Sequence, residues 1–236
     1  MVFGPLFQHI ISALLVGLFL ALGIVTFGDP FLFDRIFFAS LIIIAIAFKK
    51  DVNLLGVTLI IITERVLEEG AYFLIVNSLP LKGLTYLACL YALYLRRNDS
   101  LFYPILISLL LIVSAEIYWW LSDYTFLNIH WYVFLITLNL FVRKAISSRC
   151  FWTLELIPNS RVQPLKVDYY TYQLALFFIG VNLVTLAEYI ARHLFSLDSL
   201  FIYKLYPLMN HILAFVFLFL LADQAIKVTQ SRKIKV

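Results

Sequence analysis

Four ionisable residues stand together inside one apolar run of the chain: Glu64, Arg65, Glu68 and Glu69, within residues 54–77. On a helix, with about 100° between successive residues, they occupy an arc of about 140° that also holds Tyr72. Glu116 and Glu188 stand in apolar runs of their own, with Arg192 four residues after Glu188. Carboxylates gathered away from water can bind a cation, relay protons, or be locked by arginines into ion pairs that fix helix register. Arg65 is placed to neutralise Glu69 one helical turn on and lies beside Glu64 and Glu68. The set therefore keeps a formal excess of negative charge, which protonation of one glutamate or a further cation would remove. His130, His193 and His211 fall near the ends of other apolar runs. Imidazoles with a carboxylate can ligate zinc or a related ion, which makes these three histidines and a glutamate the metal candidates, although no His-Glu-x-x-His pair supplies ready geometry.

Other chemistry is poorly provided for. The chain has no Gly-x-Ser-x-Gly elbow, phosphate-binding loop, Gly-x-Gly-x-x-Gly or Cys-x-x-Cys, and no cofactor is expected. Residues 168–191 hold no lysine for a retinal Schiff base. Glu68-Glu69, Phe126-x-x-x-His130 and the later His211 partly resemble the CAAX-type intramembrane proteases, whose pattern joins Glu-Glu-x-x-x-Arg, Phe-x-x-x-His and a further histidine. Phe73 stands where that pattern has its arginine, so the first element is broken. The resemblance implies a metal-dependent intramembrane hydrolase in which glutamates activate water and histidines hold the metal or an oxyanion.

The elements that must position these residues are legible from composition. Of 236 residues, 63% are hydrophobic and 14% charged, against roughly 45–50% and about 25% in soluble domains. That excludes a soluble enzyme, a disordered tail and a disulfide scaffold; Cys89 and Cys150 are the only cysteines. A bilayer span needs about 20 mostly apolar residues. Eight runs meet that scale: 6–26, 31–48, 54–77, 81–95, 101–121, 128–147, 168–191 and 205–226. The expected fold is an all-α membrane protein of about eight transmembrane helices, the first a retained span and not a cleaved signal. With only 8 glycines and no Gly-x-x-x-Gly pair, the helices should be regular and packed through Leu, Ile and Phe, unlike the broken helices of alternating-access carriers.

Thirteen lysines and arginines, including Lys49, Lys50, Arg96, Arg97, Arg143, Lys144 and the tail from Lys227, fall on one side of such a topology. The positive-inside rule places that side and both termini in the cytoplasm, in a bacterial inner (plasma) membrane. This distribution also accounts for the net charge of +4 without nucleic acid. The basic pairs recur at a step of 47 residues, as do Glu69 and Glu116, and Leu-Ala-Glu-Tyr at 186–189 puts Glu188 in the corresponding place. Tandem two-helix hairpins are the reading: a six-span repeat region 1–147, a cytoplasmic or interfacial connector 148–167 with Pro158 and Pro164, a fourth hairpin 168–226, and a basic tail 227–236. Glu69, Glu116 and Glu188 then share a layer in the outer half of the bilayer. Together these readings lead to a non-catalytic binding or sensing module, or the membrane subunit of a larger complex. Its partners would be the lipid bilayer and, through the third span, another protein or a second copy. An ion- or proton-coupled channel or transporter using the glutamates is the first alternative, and the intramembrane hydrolase is the second.

Overall fold

The computed structural model describes residues 29–77, 102–122, 129–158, 160–195 and 201–233, together with scattered positions between 17 and 26 and between 83 and 98. The protein is all-helical, with no strand among the described residues. The helices with defined bounds are α1 (Pro30–Ala47), α2 (Val52–Asn77), α3 (Phe102–Leu121), α4 (Ile129–Leu156), α5 (Lys166–Phe195) and α6 (Phe201–Lys233). The expected spans 6–26 and 81–95 lie largely outside the described residues.

Local chemistry sets the helix ends. Pro30 opens α1, and the Asp29 carboxylate accepts the Leu32 amide at 3.0 Å, satisfying one of the amides left free at a helix start. Asp51 does the same for α2 through the Leu54 amide at 3.0 Å, after a short turn that carries Lys49 and Lys50. At α4 the structure departs from the sequence reading. The helix does not stop at residue 147 but runs on to Leu156, because neither glycine nor proline occurs between there and Pro158. The irregular part of the connector shrinks to the strap between α4 and α5. Pro207 lies inside α6, where its missing N–H removes one hydrogen bond of the helical ladder.

The chain divides into two compact units. Unit 1 contains residues 1–62, 145–174 and 203–236; unit 2 contains 63–144 and 175–202. Unit 1 buries Phe33, Phe37 and Leu41 along one face of α1. On α6 it buries His211, Ala214, Leu218, Leu221 and Ala225, at alternating steps of three and four that keep one stripe of a helix inward. Phe33 packs on Phe215 and Phe37 on Phe217, with ring centroids 5.5 and 6.3 Å apart. Unit 2 gathers Leu93, Leu109, Ile136, Leu140 and Ile179 in one cluster, with Tyr86, Phe102, Leu106 and Phe141 against it.

Six hydroxyl and amide side chains in these helices bond to their own helix. Ser40, Thr58, Asn139, Thr171, Asn182 and Thr185 each donate to the backbone carbonyl four residues earlier, at 2.7 to 2.9 Å. Bonding of this kind lets a helix carry hydroxyls and amides through surroundings that offer no water. Among the described residues, two stretches, Lys166–Arg192 and Phe201–Val228, are long and apolar enough to cross a membrane.

Gly23 marks a place where only hydrogen fits. A Cβ there would lie 1.8 Å from Cζ of Phe215. Gly23→Ala is therefore expected to lower stability by about 1–3 kcal/mol through overpacking, read as a lower melting temperature. Phe215→Leu in the same chain should recover part of that loss; a Gly23→Ala variant that melts like the parent would show that the ring moves aside without cost.

Candidate functional site

The charged candidates all belong to unit 2: Glu64, Arg65, Glu68, Glu69, Glu116, Glu188 and Arg192. On α2, Arg65 is the hub. Its Nη1 donates to Glu68 Oε2 at 2.8 Å, and its Nε lies 3.4 Å from Glu64 Oε2. The side chains keep 23% exposure for Arg65, 22% for Glu68 and 11% for Glu64, so two carboxylates are drawn in around one guanidinium while Glu69 stays exposed. One turn on, Tyr72 meets the edge of Trp131 with centroids 5.2 Å apart, and Trp131 stacks on Phe134. The charged stripe of α2 thus runs toward the first turn of α4, where His130 stands in sequence. The side chain of His130 lies outside the described residues.

Glu116 and Glu188 are brought to neighbouring turns. Ala115, just before Glu116 on α3, packs against Leu186 of α5, two residues before Glu188. The Glu116 side chain lies outside the described residues. Glu188 has a role that the sequence reading missed. Its Oε1 accepts the amide of Ile202 at 3.2 Å, so a carboxylate from α5 caps the exposed amides at the start of α6, where helix polarity favours negative charge. Glu188→Ala is expected to cost about 1 kcal/mol in thermal stability, with Glu188→Gln losing less because its amide oxygen still accepts. Equal melting of both variants and the parent would remove the capping role. Arg192 is half-buried on the same helix.

The candidate histidines belong to both units. His211 is buried in unit 1, its ring stacked on Phe33 at 3.9 Å with 27° between planes. Nδ1 lies 2.9 Å from the carbonyl of Pro207; a carbonyl only accepts, so Nδ1 carries the proton. His130 and His193 fall in unit 2 by sequence position, and their side chains lie outside the described residues. Phe126 does as well. Among the described residues no three His, Cys, Asp or Glu side chains form a group able to hold a metal ion.

The most completely built polar centre is one that sequence reasoning counted only as a topology marker. Arg149, on α4, is 2% exposed. Its Nε and Nη2 form a two-point bridge to Asp168 at 2.8 and 2.6 Å, and Nη2 also donates to the Gln163 carbonyl at 2.9 Å. Asp168 Oδ2 in turn accepts the Leu165 amide at 2.7 Å and caps α5. Asn53 of α2 grips the same strap, donating to the Arg161 carbonyl at 3.0 Å and accepting the Gln163 amide at 2.8 Å. Gly56 makes room for the arginine stem: a Cβ there would lie 3.3 Å from Arg149 Cδ. The signals in the sequence are slight, an acidic residue in the first turn of α5 and an arginine set among Cys150, Phe151 and Trp152. This clasp joins the ends of α2, α4 and α5 within unit 1, and its chemistry is structural: paired charges and capped amides, with no nucleophile.

Matching the chain against protein-family models, curated proteins and solved structures returned no match.

Proposed function

We propose that the chain is a polytopic integral membrane protein without catalytic activity of its own, serving as an embedded binding or sensing module or as the membrane subunit of a larger assembly. The observation that carries this reading is the apolar outer surface. Ile43 of α1, Val66 of α2, Leu110 of α3, Phe177 and Leu183 of α5 and Phe219 of α6 are all exposed, and they are representative of their helices. An aqueous surface does not sustain apolar exposure at this density, whereas acyl chains cover it at no penalty. The side-chain bonds returned to each helix's own carbonyls support the same reading. Eight spans, with the basic side and both termini in the cytoplasm of a bacterial inner membrane, complete the topology.

The charged residues are put to structural use. Arg65 holds Glu64 and Glu68, and Glu188 caps α6, which favours ion pairing and capping over a cation or proton path. The exposed side of α2, with Leu59, Val66 and Phe73, is the surface offered to a partner protein or a second copy. Photocrosslinkers at Val66 and Phe73 in native membranes test this. The expected result is one protein adduct of fixed mass from both positions and none from Leu110 on α3. Adducts to lipid alone, with a monomer on purification, would overturn the subunit reading. Proteoliposome flux that Glu68→Gln abolishes would replace it with transport.

A further inference from the structure

We infer that the end of unit 1 gathered by the Arg149 clasp is a binding site for the headgroups of anionic phospholipids, an inference that rests on the membrane reading above. The Asn53 bonds to the strap bring three stretches of chain to one place: the α1–α2 turn with Lys49 and Lys50, the strap with Arg161, and the first turn of α5 with Lys166. All four basic side chains are exposed. The acids of the same end are largely committed elsewhere: Asp51 caps α2 and Asp168 is held by Arg149. Glu155, in the last turn of α4, is exposed. The result is a local excess of positive charge that the fold assembles and does not neutralise.

An apolar collar accompanies the charge. At the end of α4 Ile146 and Arg149 are buried, while Phe151, Leu154 and Leu156 stand 68%, 48% and 81% exposed. Tyr169 and Tyr170 continue the exposed aromatic surface at the start of α5. At 1.5 Å per residue α4 is about 42 Å long, more than the ~30 Å hydrocarbon core, so its last turns reach headgroup depth when its start lies at the opposite interface. Aromatic rings beside lysines and arginines suit that depth, where rings sit among the ester groups and cations meet phosphate. The charge selects lipid headgroups carrying net negative charge over zwitterionic ones.

The test uses the full chain in nanodiscs of phosphatidylcholine with added phosphatidylglycerol, released into detergent and weighed with its retained lipids by native mass spectrometry. The parent should retain phosphatidylglycerol in preference to phosphatidylcholine. Lys49→Gln, Lys50→Gln, Arg161→Gln and Lys166→Gln combined should remove that preference, each contributing about fivefold in affinity. The tail variant K227Q/R232Q/K233Q/K235Q should keep the preference. Matching helical content in both variants establishes that they are folded. Equal retention by parent and quadruple variant would overturn the lipid site and leave the membrane reading intact. Displacement of the lipid by inorganic phosphate would overturn it in favour of a small anion. A chain that stays in aqueous solution and enters no nanodisc would remove the membrane reading itself.

Discussion

Arg149→Ala should cost about 3–5 kcal/mol of stability, the range found when one partner of a buried ion pair is removed. The substitution strands the Asp168 carboxylate, which keeps only 13% side-chain exposure, with the Leu165 amide as its remaining partner in the clasp. It also takes a donor from the Gln163 carbonyl and so loosens the strap that Asn53 holds from the other side. Arg149→Lys retains the charge but not the two-pronged geometry, and should recover less than half of the loss. Most telling is the pair Arg149→Met with Asp168→Ala. With no charge left buried, the double variant should be more stable than Arg149→Ala alone. Melting in detergent, followed by helical ellipticity, measures these three variants together with the single variants Arg149→Met and Asp168→Ala. Additive losses in the double variant would mean that the two residues do not act on each other.

The second large effect lies in unit 2. Arg65→Leu leaves Glu64 and Glu68 facing each other along α2 with their shared guanidinium gone. On the proposed reading that α2 spans the bilayer, an uncompensated carboxylate costs roughly 2.5–3.5 kcal/mol on insertion scales, so the variant should insert poorly and melt early. The triple variant Glu64→Gln, Arg65→Gln, Glu68→Gln removes every charge of the set at once and should restore much of the insertion. Measured membrane yield and melting temperature decide the matter. A triple variant no better than Arg65→Leu would mean that the pairs do not offset the cost of the charges.

The helices were largely legible, and the centre that ties their ends was not. The apolar runs 31–48 and 54–77 foretell α1 and α2 to within two residues, and the caps the structure shows at their starts, Asp29 and Asp51, act locally. The end of α4 was misplaced since charge in a loop reads as an interfacial marker, whereas Arg149 continues a helix and turns inward. Its partner Asp168 lies 19 residues on, and Asn53 lies 110 residues before Gln163; no periodicity reports such pairings. The charged stripe of α2 was visible as spacing, and the structure gives its Arg65 contacts with Glu64 and Glu68. That Glu188 caps α6 depends on where another helix begins, which spacing along one helix does not encode. The stacking of His211 on Phe33 and its bond to Pro207 are likewise matters of packing that residue type does not report.

The proposed function requires α2 to cross lipid with Glu64 and Glu68 drawn in around Arg65 and the opposite side of the helix bare. Nitroxide labels placed one at a time at Leu59, Val66, Phe73, Glu64 and Glu68 in reconstituted bilayers report this directly through collision with oxygen, which partitions into acyl chains. Labels at 59, 66 and 73 should collide freely with oxygen, and those at 64 and 68 should be protected from it. Equal oxygen access around the whole helix, or free access by a water-borne relaxing agent at Val66, would contradict the placement of this helix and with it the function built on it.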